Sequence, residues 1–141
     1  MNVFEEAEKK IEYTFENITK VIKDQNISIL DISKKIHTYR CLIDTMLSRK
    51  NGYLTNLCKI LSAMNLTMVI DDEPICDPQK ITKKIKNKIY ENRYLREYMH
   101  VEAYISKRTL PRIYERNNMQ LFTFFKIISA LGWNFKIQKK G

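Results

Sequence analysis

Residues 54–70, LTNLCKILSAMNLTMVI, and residues 121–137, LFTFFKIISALGWNFKI, are two versions of one segment. The second version follows the first at an offset of 67 residues, and most of the aligned pairs keep size or polarity. Six pairs are identical at this offset: Leu54/Leu121, Lys59/Lys126, Ile60/Ile127, Ser62/Ser129, Ala63/Ala130 and Ile70/Ile137. An internal repeat of this kind indicates that one supersecondary unit is used twice.

Both versions change their hydrophobic period at the same point. Apolar residues recur at spacings of three and four over 54–64 and over 121–131, which predicts one face of a helix. Asn65 and Gly132 then stand where a helix would end in a left-handed cap. Apolar and polar residues alternate after each cap, as in a short strand. Each unit is therefore expected to end in a helix, a cap and a strand.

The composition is that of a globular chain. Of its 141 residues 44% are hydrophobic and 29% are charged, and no apolar run approaches the roughly 18 residues of a membrane span. The N-terminus, MNVFEEAEKK, has no apolar segment of the kind that a secretory signal needs. Cys41, Cys58 and Cys76 are odd in number and lack metal-site spacing. We therefore expect reduced thiols and a cytoplasmic protein.

The sequence patterns do not favour an enzyme. There is no pairing of a nucleophile with a base, no glycine loop that would cradle a phosphate and no metal-binding motif. His37 and His100 lie in different units without a carboxylate pattern, so both are interpreted as structural or surface residues. We expect no cofactor and no metal.

The net charge of +9 is unevenly distributed along the chain. Residues 18–70 contain eight Lys and Arg against three Asp, and residues 85–137 contain ten against four Glu. Residues 1–17 contain five Glu against two Lys. Both repeat units are thus basic, which suggests a polyanionic partner, although an inert solvated surface can carry the same charge.

The first unit begins with an amphipathic segment over residues 3–24, predicted as one long helix or two shorter ones. We expect it to pack on the first unit, and the alternative is a helix that binds a partner through its acidic face. Asn26–Ser28 should break it, and Ser28 with Asp31 is typical of a capping box that starts a helix ending near Ile36.

A second short helix follows a tight turn at His37–Thr38. Over residues 38–47, TYRCLIDTML, the pattern places Leu42, Ile43 and Met46 inward and leaves the remaining polar residues outward. Two brief helices joined by about three residues have the spacing of a helix-turn-helix, in which the second helix enters the major groove of DNA.

Residues 18–66 resemble the five-helix DNA-binding domain of Cro/cI-type repressors, the XRE class. The resemblance is carried by the capping Ser28, the Ile32-Ser33 pair, the inward Ile43 and Met46, and Leu54, Leu57, Lys59 and Ile60 of the last helix. His37 and Ile29 depart from the pattern of the family. Asp44, on the predicted recognition helix, would repel phosphate but could accept from a cytosine amino group.

The second unit repeats this order. Asp77 and Pro78 predict a helix start, followed by an apolar stripe at Ile81, Ile85 and Ile89. Five lysines surround this stripe, and they either grip phosphate or form a solvated face. RYLREYMHVEAY, residues 93–104, supplies the second helix, with Leu95, Met99 and Ala103 inward.

Residues 105–115, ISKRTLPRIYE, resemble the recognition segment of the same repressor family. Ser106 is predicted to cap this helix. Pro111 is tolerated only near a first turn, so a helix that starts at Thr109 is the alternative. Across both units the predicted DNA-binding residues are Ser28, Tyr39, Arg40, Thr45, Arg49, Lys50, Arg96, Ser106, Lys107, Arg108, Arg112 and Arg116.

A strand after the last helix resembles the HipB and HigA class of antitoxin repressors, in which this strand pairs with its twin across a dimer. We therefore predict two tandem lambda-repressor-like helix-turn-helix units, 1–73 and 74–141. We also predict that strands 67–71 and 134–138 pair antiparallel within one chain. The fold class would be mostly α with a two-stranded sheet, and the chain would be a covalent pseudo-dimer.

Two classes of function fit these predictions. The first is a sequence-specific regulator of transcription, a repressor, that binds double-stranded DNA at an imperfect palindrome as a monomeric pseudo-dimer or a homodimer. The second is a protein-interaction module on the same scaffold, such as an antitoxin that binds a toxin or a phage-encoded inhibitor of host defence. Asp44 and the acidic N-terminal segment favour the second class.

Overall fold

The computed structural model describes residues 2–141, which form helices joined by short turns and one small sheet. In the first half the elements are α1 (Val3–Asp24), α2 (Ile29–Lys35), α3 (Arg40–Arg49), α4 (Leu54–Ala63), β1 (Leu66–Ile70) and β2 (Glu73–Pro74). In the second half they are α5 (Pro78–Glu91), α6 (Arg93–Glu102), α7 (Thr109–Arg116), α8 (Leu121–Ala130) and β3 (Phe135–Lys139). The predicted fold class, mostly helical with short antiparallel strands, is confirmed.

The repeat in the sequence is also a repeat of backbone geometry. Helices α4 and α8 begin and end at an offset of 67 residues, and each of the earlier helix pairs ends at that same offset. Left-handed residues also recur at this offset, in the pairs His37/Tyr104, Lys50/Asn117 and Asn65/Gly132. A residue with a Cβ is strained in the left-handed region, and only Gly is not. Non-glycine residues found there therefore mark turns that the surrounding fold imposes.

Polar side chains begin several of the helices as predicted. The Ser28 hydroxyl accepts a hydrogen bond from the Asp31 N–H at 2.9 Å, and the Asp77 carboxylate accepts from the Gln79 N–H at 2.9 Å. Each bond satisfies one of the N–H groups that a helix start leaves without a partner. Pro78 occupies the first turn of α5. The predicted start of α2 and α5 is thus confirmed.

The sheet joins the two halves. Its strand order is β2–β1–β3, and β1 pairs antiparallel with both neighbours. In the β1–β3 register Val69 faces Lys136, two residues that are themselves 67 apart. The predicted pairing within one chain is confirmed, with β1 over 66–70 and β3 over 135–139.

The third strand was not predicted. β2 follows β1 through Asp71 and Asp72, whose φ angles of 50° and 66° give a two-residue hairpin turn of the mirror-image type. The Asn134 side chain accepts from the Asp72 N–H at 3.1 Å, so the second half of the chain holds this turn in place. The predicted boundary between residues 73 and 74 falls within β2.

A second set of contacts has the same two-fold relation. Tyr53 and Gln120, also 67 apart, form an isolated antiparallel bridge. Beside it the Leu54 N–H donates to the Met119 carbonyl at 2.8 Å, and the equivalent Leu121 N–H donates to the Gly52 carbonyl at 2.8 Å. Two reciprocal bonds and a self-paired bridge define a pseudo-two-fold axis between the halves.

One hydrophobic core runs through both halves, and α1 crosses between them. The prediction that α1 packs on the first unit is wrong, because its main neighbour is α8 of the second. The Phe4 ring lies 4.8 Å from that of Phe122, and the Lys10 Nζ donates to the Ser129 hydroxyl at 2.8 Å. An apolar stripe predicts that a helix is buried but not which surface buries it.

Two further expectations need correction. Leu42, predicted inward, is 37% exposed, and the stripe of α3 is completed instead by the half-buried Leu47. Trp133, predicted at the start of the last strand, lies before β3 and is buried in the core. Ile43 and Met46 are buried as predicted.

Candidate nucleic-acid interface

The predicted DNA-binding residues lie on the surface of the protein. All of them are exposed except Lys50, which is half-buried. Tyr39, at 81% exposure, directly precedes α3, and Arg96 projects from α6. These side chains reach solvent, and what distinguishes the two halves is the charge around them.

Helix α7 and the turn before it present an unopposed basic surface. Lys107, Arg108, Arg112 and Arg116 are exposed, and within residues 2–141 none has a carboxylate oxygen within 4.0 Å. Side chains four residues apart lie on one helix face, so Arg112 and Arg116 point the same way. Free guanidinium groups suit phosphate and base edges, which they can contact bidentately.

A groove connects this basic surface with the pseudo-two-fold axis. It has a volume of about 540 Å³ and is lined by Arg112 and Arg116 of α7, by Gln120, and by Tyr53 of the first half. Tyr53 and Gln120 are the bridged pair, so the C-terminal end of α7 lies next to the axis. By the repeat, the C-terminal end of α3 approaches the axis from the other side.

The equivalent surface of the first half is partly neutralised. Arg40 pairs with Asp44 at 3.5 Å, one helical turn away. The Lys50 Nζ donates to the Glu12 carboxylate at 2.7 Å, and this bond raises the pKa of Lys50. Glu12 belongs to α1, whose glutamates line the same groove as Arg49, although no carboxylate oxygen of residues 2–141 lies within 4.0 Å of Arg49. The two halves therefore present different fields to an anionic partner.

Ser106 does not have its predicted role as the cap of α7. The residue before the helix is Arg108, and the Ser106 hydroxyl accepts from the Arg108 N–H at 3.3 Å in the preceding turn. The alternative helix start at Thr109 is the one observed, and it places Pro111 in the first turn. Proline is tolerated there because the N–H groups of a first turn have no helical acceptor.

The second half carries a group of exposed tyrosines that was not predicted from the sequence. Tyr94 and Tyr98 of α6 have ring centroids 5.0 Å apart, and Tyr90 and Tyr104 are also exposed. The Lys86 Nζ lies 5.7 Å from the ring of Tyr90 and 5.3 Å from that of Tyr114. Tyr94 and Tyr98 are four residues apart, which places both rings on one helix face, so this tyrosine pair could have been predicted from the sequence.

The lysine run of α5 is mostly solvated. Lys80, Lys83, Lys86 and Lys88 are exposed, whereas Lys84 is half-buried, pairs with Glu73 at 2.8 Å and lies 5.2 Å from the ring of Trp133. Lys84 thus has a structural role, and only the other lysines are open to a partner.

Comparisons with known proteins identify no relative. No protein-family model matches the chain, and no curated protein or solved structure is significantly similar to it. Within residues 2–141 no helix is both long enough and apolar enough to cross a membrane, and no group of three His, Cys, Asp or Glu side chains could hold a metal ion.

Proposed function

We propose that the chain is a sequence-specific, double-stranded DNA-binding regulator of transcription, a cytoplasmic repressor that acts as a covalent pseudo-dimer and is not an enzyme. The observation that carries the proposal is the two-fold relation between the halves, seen in the Tyr53–Gln120 bridge and the β1–β3 pairing. This relation makes α3 and α7, whose charged residues are mostly exposed, equivalent helices. Duplex DNA has two-fold symmetry of its backbone, and a protein with matching symmetry can place one helix in each of two successive major grooves.

The contacts would divide into two kinds. Lys107, Arg108 and the exposed lysines of α5 would bind phosphates, which supply affinity but no sequence information. Arg112 of α7 would reach base edges, where a good bidentate pair with guanine discriminates by about 1–3 kcal/mol, and Arg116, at the end of α7, would bind phosphate. The helices α3 and α7 would meet the DNA about 34 Å apart, one turn of the duplex.

The two halves would contribute unequally. Thr45 of α3 stands where α7 has Arg112, and Lys50, one residue beyond α3, is held by Glu12. We expect α7 to read its half-site more strictly than α3 reads the other half-site. The preferred site would be an imperfect palindrome.

The test is binding to mixed-sequence duplex DNA, measured by fluorescence anisotropy over a salt series. Arg49 and Arg116 form a matched pair of targets, because they are the same residue at equivalent positions and both are exposed. We expect Arg116→Glu to weaken binding about tenfold or more, and Arg49→Glu to weaken it less. Each lost phosphate contact would lower the slope of log affinity against log salt by about 0.9.

Lys20→Glu supplies the control, since Lys20 is exposed on α1 and the substitution changes the net charge equally. If Lys20→Glu weakens binding as much as Arg116→Glu does, only the net charge attracts the DNA and the proposed interface is wrong. If the wild-type chain does not bind at low salt, the proposal of a DNA-binding repressor fails.

A protein-interaction module is the second candidate, favoured by the exposed tyrosines at positions 90, 94, 98 and 104. Tyrosine is enriched at protein interfaces, because its ring buries a large area while its hydroxyl keeps a polar contact. The partner would be a toxin or another protein. Tyr94→Ala with Tyr98→Ala would abolish binding to such a partner and leave the salt-dependent binding of DNA unchanged.

A further inference from the structure

Two of the three cysteines lie against each other. Cys58 is buried in α4 with 3% exposure, and Cys76 is half-buried just before α5. The Cys76 thiol donates to the Cys58 carbonyl oxygen at 3.7 Å, so the two residues are in direct contact. Cys41, on α3, is exposed. The sequence had predicted three reduced thiols and gave no sign that two of them meet.

The pair is open to a small reagent. Cys58 and Cys76 both line a groove of about 630 Å³, whose lining also includes Lys35, Lys59 and Asp77. The hydrogen bond from the Cys58 thiol lowers the pKa of the Cys76 thiol against the opposing effect of burial, and the Met68 N–H helps. The pKa of Cys58 is raised by the same hydrogen bond and by burial. Cys76 is therefore the thiol that ionises first, and the thiolate is the reactive form.

We propose that Cys58 and Cys76 are a redox pair that a hydroperoxide converts into an intramolecular disulfide. The Cys76 thiolate attacks the terminal oxygen of the hydroperoxide, whose O–O bond breaks and releases an alcohol or water, and Cys76 becomes a sulfenic acid. The Cys58 sulfur then attacks the Cys76 sulfur, the S–O bond breaks, and the hydroxide leaves as water with the proton of the Cys58 thiol. Two thiols are oxidised by two electrons, and one hydroperoxide is reduced.

The disulfide would cross-link the first half of the chain to the second. Cys58 lies in the last helix of the first half, and Cys76 lies at the entrance to the first helix of the second. The bond would close a loop over residues 59–75, which contains β1 and β2. Cross-linking a loop of this kind stabilises the fold, because it restricts the unfolded chain. The counterpart of Cys58 in the second half is Phe125, so the pair has no second copy at the equivalent position.

Peptide mapping tests this directly on the full chain carrying Cys41→Ser, which removes the exposed thiol. The protein is treated with hydrogen peroxide, blocked with iodoacetamide and digested with trypsin without reduction. We expect peptide 51–59 joined to peptide 60–80, with a mass about 2 Da below the sum of the two peptides and a bond that dithiothreitol reverses. The melting temperature of the oxidised chain should rise by several degrees.

Two controls make the result decisive. Cys58→Ala should stop the reaction at a Cys76 sulfenic acid, which dimedone traps, with no change in melting temperature. The same oxidation in concentrated urea should link the peptides far more slowly. Equal rates in folded and unfolded chains would overturn the proposal, as would unlinked peptides with a sulfinic acid on Cys76. Cross-links found only between chains would overturn it too. None of these outcomes depends on whether the protein binds DNA.

Discussion

Replacing Phe15 by alanine measures how far the N-terminal helix stabilises the second half of the chain. Phe15 is 2% exposed on α1, whose main neighbour is α8. Removing a buried aromatic ring costs about 3–5 kcal/mol, which combines the lost transfer free energy with the cavity left behind. At a urea dependence of about 2 kcal/mol per molar, the midpoint of unfolding should fall by about 1.5–2.5 M.

Trp133 makes the assay specific for the second half. It is the only tryptophan of the chain, it is buried, and it follows α8 directly. Its fluorescence, recorded beside far-ultraviolet circular dichroism during urea unfolding, reports whether the loss of the Phe15 ring reaches the second half. We expect both signals to shift together, because one core runs through both halves.

Phe4→Ala is the matched control on the same helix. Phe4 is 46% exposed and contacts Phe122 edge to face, so its loss should cost about 1 kcal/mol and shift the midpoint by about 0.5 M. The reasoning is refuted if Phe15→Ala leaves the Trp133 midpoint unchanged while circular dichroism shows a separate early transition. In that case α1 would stabilise only the first half.

Three other substitutions, at two positions, test single features of the fold. Gly132→Ala should lower the free energy of unfolding by about 1 kcal/mol, because the φ of Gly132, 72°, is left-handed. No atom of the described chain lies within 4 Å of an added Cβ, so no steric clash adds to this cost. Gly132→Asn should cost clearly less, since Asn65 holds the equivalent position at φ 59°, and equal urea midpoints for the two variants would contradict this explanation. Burial and the nearby Tyr90 raise the pKa of Tyr114 from 10.0 to about 12, so the folded state holds this phenol proton more tightly than the unfolded chain does. The resulting stabilisation is complete below pH 10 and is lost as the pH rises towards 12, and Tyr114→Phe should make the unfolding free energy less dependent on pH in that interval.

The local structure could be predicted because its signals lie within a few residues of each other. Ser28 and Asp77 begin helices, and Asn65 ends one, through contacts that a short window of sequence contains. The repeat also made the pairing of β1 with β3 predictable, because two copies of one unit suggest a two-fold relation. These expectations depended on pattern and did not require knowledge of distant contacts.

The larger failures concern contacts between residues far apart in the chain, whereas the errors at Leu42 and Ser106 are local. The apolar stripe of α1 fits either half, and only the assembled core selects α8. The salt bridge between Lys50 and Glu12 joins α1 to the end of α3, so the neutralisation of the first basic surface was invisible in the sequence. β2 was not predicted because a strand of two residues is too short to show an alternating hydrophobic pattern, and Pro74 is disfavoured in strands. The turn before β2 also depends on a hydrogen bond to the distant Asn134.

The residues on the pseudo-two-fold axis show what joining two units in one chain makes possible. In a homodimer, a residue on the axis must face its own copy, so two lysines would meet and repel each other there. Here Val69 faces Lys136, and Tyr53 faces Gln120. Because each copy can mutate independently, selection can fit the two members of an axial pair to each other. The same independence lets one half keep an ancestral task while the other acquires a new one.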